Sequence, residues 1–187
     1  MHSALFIGRF QPFHNGHLHV VKEILKHNDR VIIAIGSAEL NYLPENPLTA
    51  SERFQLIEAA LQEAKINPKK YCIIPVQNIN NYAIWVNHVN TYVPPYTRLY
   101  TGSDIVKACY DGKYSNAAKT GPEIMHLERK FEISATKVRK AIIEQDPELN
   151  KMIPKAIEKK LKEWDIAKRL RTIVKTMDYH KYTNESR

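Results

Sequence analysis

A chain of 187 residues with 43% hydrophobic, 26% charged and 9% aromatic residues has the make-up of one globular domain, able to bury about 70% of its unfolded surface, and is not disordered. Two distant cysteines, Cys72 and Cys109, exclude a disulfide framework and a cysteine zinc site, and no run of about 18 apolar residues is available to span a bilayer. The net charge of +8 sits at one end: from residue 155 onward ten Lys/Arg face five Asp/Glu, so the first 154 residues carry only +3.

Ser3 to Ile7 is a short apolar run stopped by Gly8, the pattern of a buried first strand. A loop follows to Asn15, and from Gly16 to His27 the residues Leu18, Val21, Ile24 and Leu25 recur at helical spacing. Val31 to Ile35 is a continuous apolar run closed by Gly36-Ser37, as a parallel strand covered on both faces requires. After a loop containing Pro44 and Pro47, Thr49-Ala50-Ser51-Glu52 has the form of a capping box. It predicts a helix with Phe54, Ile57, Leu61 and Ala64 on its core face. Tyr71 to Val76 is the third strand, its Pro75 marking an edge or a strand end, and Ala83 to His88 is a short helix that stops before Pro94-Pro95. Arg98 to Thr101 is a fourth strand closed by Gly102-Ser103. Asp111 to Pro122 reads as a loop, Ile124 to Ile133 holds a fifth strand, and Ser134 or Thr136 caps a helix through Ile143. Pro147 and Pro154 punctuate the remainder, where Ile157, Leu161, Trp164, Leu170, Ile173 and Val174 predict helical segments.

This alternation predicts right-handed βαβ units and an α/β fold: an open parallel sheet with helices on both faces and a helical C-terminal tail. The expectation is a single domain over residues 1–187, with a core to about residue 145 and a basic tail from about residue 146. Ligands of such sheets bind outside the carboxyl ends of the strands, where Gly8-Arg9, Gly36-Ser37 and Gly102-Ser103 stand.

Gly8-Arg9-Phe10-Gln11-Pro12-Phe13-His14-Asn15-Gly16-His17 is the informative stretch. It gathers a guanidinium, two imidazoles and two glycines at a strand-to-helix loop, an arrangement of donors that suits phosphate. Histidines at i and i+3 could share a metal, but no Cys, Asp or Glu nearby completes a set, so no metal ligand is assigned to protein side chains; His17 could also simply pack in the core. Neither a Walker A stretch nor G-x-G-x-x-G is present. A second candidate phosphate element is Ile133-Ser134-Ala135-Thr136-Lys137-Val138-Arg139-Lys140. Alone, its hydroxyls read as helix caps and Arg139 as a surface residue.

Together, H-x-G-H after the first strand and I-S-x-T-x-x-R late in the chain resemble the signatures of the nucleotidyltransferase superfamily. G-R-F-Q-P-F-H-x-G-H, the Thr49-Ala50-Ser51-Glu52-Arg53 start, Ile74-Pro75-Val76-Gln77 and Trp85 resemble, within it, the archaeal nicotinamide mononucleotide adenylyltransferases, over roughly Leu5 to Arg139. The resemblance implies a Rossmann-like fold in which the 5′-phosphate of nicotinamide mononucleotide attacks the α-phosphorus of ATP, with Mg²⁺ accompanying ATP, to give NAD and pyrophosphate. It implies that Gly8, Arg9, His14, His17, Gly102, Ser103, Ser134, Thr136 and Arg139 bind ATP, with His14, His17 and Arg139 catalytic. Phe10, Ile79, Tyr82 and Trp85 would bind the mononucleotide, Trp85 stacking on the nicotinamide ring where a lone helix tryptophan would otherwise read as core packing. It also implies a homo-oligomer, a hexamer by family resemblance.

The sequence departs from the family in two places. Glu45 stands in the loop where relatives often carry an arginine, leaving Lys107, Lys119 or Arg53 to replace it, and Tyr82 stands in place of a smaller amide residue. With no basic n-region and long apolar h-region at Met1 to Leu5, the expected location is cytoplasmic, with no membrane and no nucleic-acid partner. The alternatives are a sister adenylyl- or cytidylyltransferase acting on a phosphopantetheine or flavin acceptor, and a nucleic-acid-binding protein using the basic tail. Small-acceptor turnover would survive removal of the tail, whereas nucleic-acid binding would fall steeply with salt.

Overall fold

Strand β1 (Ser3–Gly8) pairs in parallel with β2 (Arg30–Ile35) on one side and with β4 (Arg98–Thr101) on the other; β3 (Tyr71–Pro75) and β5 (Glu123–His126) extend the sheet to the order β3-β2-β1-β4-β5. This arrangement is that of a computed structural model, which describes residues 2–114, 121–127 and 133–184. The helices are α1 (Asn15–His27), α2 (Ala50–Glu63), α3 (Trp85–Tyr92), α4 (Asp104–Tyr110), α5 (Ala135–Glu144), α6 (Leu149–Met152), α7 (Lys155–Glu163) and α8 (Ile166–Asn184). The chain is an α/β, Rossmann-like fold.

Alternate residues of the central strands feed two cores. Phe6, Ile33 and Ile35 join Val21 and Ile24 of α1, Leu56 and Ile57 of α2, and Val138 of α5 on one face. Leu5, Ile32, Ala34 and Leu99 meet Val89 of α3 on the other. Helices cover both faces, and β2 is buried almost throughout, as its unbroken apolar run predicts. Pro75 ends an edge strand, where its missing N–H disrupts no ladder.

Two expectations are corrected, the full extent of the α2 core face and the stretch after β4. The inward side of α2 shares Ile57 and Leu61 with the expected stripe, and Phe54 packs at its margin, but it extends to Leu56, Ala60 and Arg53, whose side chain is fully buried. A seven-residue helix, α4, follows β4 where no helix was predicted. The fifth strand spans Glu123–His126, less than the window read for it, whose residues 128–132, like Lys119, lie outside the described residues. In the tail, Ile157 and Leu161 of α7 and Ile166 and Leu170 of α8 are buried in the same core as Phe6. No described helix is long and apolar enough to cross a membrane.

Candidate active site

The carboxyl ends of β1, β2 and β4 open onto two adjoining clefts, of about 910 Å³ and about 310 Å³. They meet at Ile7, Gly8, Arg9 and Ser103, which line both. Phe10, with φ 51°, turns the chain so that its ring drops beneath Gly8; a Cβ there would lie 3.0 Å from the ring. Phe10 is 2% exposed and packs edge-on against Phe6 and His17, so its ring supports the crevice from below. It does not line the smaller cleft.

His14 is the N-cap of α1. Its Nδ1 accepts from the His17 backbone N–H at 3.4 Å, while His17 Nδ1 accepts from the His14 N–H at 3.2 Å, an imidazole version of the capping box. The rings stack with centroids 3.6 Å apart, and Gly16 makes room, since a Cβ there would sit 3.0 Å from the His14 ring. Because both Nδ1 atoms accept, both neutral rings carry their proton on Nε2. Burial lowers the His14 pKa from 6.5 to about 4; burial and the neighbouring His14 hold His17 well below its usual value. The pair therefore offers neutral N–H donors to the larger cleft, which both residues line.

Arg139 on α5 lines the same cleft, its Nη1 donating to the Gln11 carbonyl at 2.9 Å and its Nη2 to Thr136 Oγ1 at 3.3 Å. Burial, then nearby Arg9, lowers its pKa, with Glu45 opposing. Arg9 pairs with Glu45 across 3.6 Å at the exposed mouth. Ser134 lines the cleft and also caps α5, accepting from the Lys137 N–H at 3.2 Å, so the capping reading of this hydroxyl holds in this structure. Gly102, Ser103 and Thr136 complete the set of ATP candidates, all nine of which fall on this one cleft.

The smaller cleft runs toward Trp85, whose Nε1 donates to Asn78 Oδ1 at 3.1 Å. Trp85 is half-buried with an edge-on contact to Tyr110, so one part packs while another faces the cleft. Ile79 and Tyr82 lie on the connection from Asn78 to Trp85 and line neither cleft; Tyr82 is 48% exposed beside Tyr114.

Arg53 does not replace a phosphate-binding base. Its guanidinium is buried and donates to the carbonyls of Arg9, Gly36, Ser37 and Thr49 at 2.9–3.2 Å, tying the loops after β1 and β2 together. Burial without a carboxylate in contact lowers its pKa to about 10. Lys107 lines neither cleft. Sequence reasoning assigned no role to Gln11, which motif spacing could have suggested, or to Arg169, which lies beyond every motif.

A family model described as cytidylyltransferase-like matches residues 5–141. The nicotinamide-nucleotide adenylyltransferase of Pyrobaculum aerophilum is 38% identical over 173 residues, covering 91% of this chain and 93% of the relative. That of Ignicoccus hospitalis is 38% identical over 174 residues, covering 92% and 98%. Among solved structures, a bifunctional NMN adenylyltransferase/ADP ribose pyrophosphatase from Francisella tularensis shares the fold with a TM-score of 0.73 at 20% identity; it is covered over 100% of this chain, which spans 57% of that one.

Proposed function

Because the chain belongs to the cytidylyltransferase-like family and, within it, to the nicotinamide-nucleotide adenylyltransferases, we propose that it transfers the adenylyl group of ATP to the 5′-phosphate of nicotinamide mononucleotide, giving NAD and pyrophosphate. The observation that supports this most directly is the pair of clefts meeting at Gly8-Arg9, a larger one rich in phosphate donors and a smaller one leading to an indole. ATP occupies the first and the mononucleotide the second, with Trp85 stacking on the pyridine ring.

In the reaction, an oxygen of the acceptor's 5′-phosphate bonds to the α-phosphorus of ATP as the bond to the bridging oxygen of the β-phosphate breaks. Pyrophosphate leaves with that electron pair. A phosphate monoester has a second pKa near 6, so the nucleophile is ionised at neutral pH and no general base is needed. The chain supplies alignment and charge stabilisation: Arg9 and Arg139 as cations, His14 and His17 as Nε2–H donors, Ser134 and Thr136 beside them. This donor set fits phosphate oxygens rather than a resident cation, and no three metal-ligating side chains cluster among the described residues. Mg²⁺ brought in with ATP would supply further charge neutralisation beside Arg9 and Arg139.

The unpaired Cys72 and Cys109 fit the cytoplasm as the place of action, and assembly is into a homo-oligomer, hexameric on the family resemblance. Light scattering reads that mass. The deciding experiment is pyrophosphate release from Mg-ATP with nicotinamide mononucleotide, nicotinate mononucleotide, phosphopantetheine or flavin mononucleotide as acceptor. NAD formation is expected; release only with phosphopantetheine or the flavin would overturn the reading.

A further inference from the structure

The C-terminal helix reaches the loop ahead of α2 through Arg169. Arg169 of α8 places Nη1 and Nη2 each 2.8 Å from one carboxylate oxygen of Glu52, donates from Nη1 to the Pro47 carbonyl at 3.3 Å, and covers the Tyr42 ring at 4.7 Å. The two charged side chains are only 17% and 16% exposed, unlike the solvated ion pairs elsewhere in the tail. Glu52 at the same time accepts from the Thr49 N–H at 2.8 Å. The segment 42–49 is thus gripped at Tyr42, Pro47 and Thr49 by one guanidinium and its carboxylate.

That segment sets two arginines of the phosphate cleft. Leu48 exchanges two hydrogen bonds, of 3.0 and 2.9 Å, with the side chain of buried Gln11, whose own carbonyl holds Arg139 Nη1; Glu45, three residues earlier, pairs with Arg9. We propose that Arg169 is a positioning residue: from outside the motif region it fixes segment 42–49, and through Gln11 and Glu45 it holds Arg139 and Arg9 where they receive the phosphates of ATP. The inference rests on the function proposed above for this cleft. A guanidinium is required because one planar fork meets two carboxylate oxygens while still reaching a carbonyl, a geometry an ammonium does not reproduce.

The test uses the full chain with Arg169→Ala, Arg169→Lys and, as a control on the same helix, Arg171→Ala, which loses a hydrogen bond to the Ile143 carbonyl and nothing on segment 42–49. KM for each substrate, kcat, the calorimetric Kd for Mg-ATP without acceptor, and Tm are measured. Arg169→Ala is expected to raise both the KM and the Kd for ATP roughly tenfold while the KM for nicotinamide mononucleotide moves by less than about twofold. Arg169→Lys should remain impaired for ATP, and Arg171→Ala should bind ATP as the unaltered protein does. Unchanged ATP affinity in the Arg169 variants, full rescue by lysine, or a parallel rise of both KM values would overturn the proposal. If the alanine variant does not fold, the lysine variant carries the same readouts. Absence of NAD from the unaltered protein would overturn the assigned reaction, while ATP calorimetry would still judge Arg169.

Discussion

His14 and His17 stack on one another, and neither is a cation at neutral pH. Each Nδ1 is committed to accepting a backbone N–H, so protonation would set a donor against a donor and break the start of α1. With the folded pKa of His14 lowered from 6.5 to about 4, the unfolded chain binds more protons than the folded one between those values. Stability from this residue is therefore complete above about pH 6.5 and is lost as pH falls toward 4, by at most about 3 kcal/mol. Denaturant titrations at pH 7 and pH 4.5 should show that loss, and His14→Gln should show less of it. Nitrogen chemical shifts of the two rings at pH 7 should report Nε2–H tautomers. Arg139, by contrast, meets developing charge as a cation, and Arg139→Ala should lower kcat by about 10²–10³. Steady-state pyrophosphate release checks this; unchanged turnover would remove Arg139 from the mechanism.

Helix starts show what neighbours contribute. α2 carries its own capping box, with Thr49 and Glu52 bonding reciprocally, and its start was legible from four residues. α7 has Pro154 at its N-cap and no side-chain cap of its own; Glu63, in the last turn of α2, accepts from the N–H groups of Lys155 and Ala156 instead. Glu63→Ala should therefore cost about 1 kcal/mol in urea unfolding, the scale of a lost cap, with ATP turnover unchanged at low denaturant. The burial of Arg53 beside the expected Ile57 and Leu61 on α2 has a related reason. Arg53 reads as exposed from its charge, but the carbonyls freed where the loops leave β1 and β2 supply its guanidinium with acceptors, and burial follows.

Across the whole molecule, the basic tail is core by its apolar face and solvent-facing by its charges. Ile157 is fully buried, while Lys159 and Lys162 form exposed i,i+4 pairs with Glu163 and Glu158. Ile157→Ala should lower the unfolding free energy by about 2–4 kcal/mol. A chain ending at residue 153 should lose cooperative thermal unfolding and ATP turnover together, against the expectation that turnover survives tail removal. Circular dichroism melts and the pyrophosphate assay read both.

The strand-helix alternation and the two phosphate motifs, residues 8–17 and 133–140, were determined by the sequence alone, because the alternation depends on local periodicity and the members of each motif lie within ten residues of one another, whereas their meeting in one cleft is the work of the sheet. His14, Gly16 and His17 had to meet because one helix start holds all three. The aim of Phe10 into the core, the acceptors of Arg53, the cap on α7 and the grip of Arg169 on segment 42–49 were decided only by the tertiary structure. Each joins groups distant in the chain, and a side chain's charge or aromatic character does not say which carbonyl or carboxylate the packing of the sheet will bring to it.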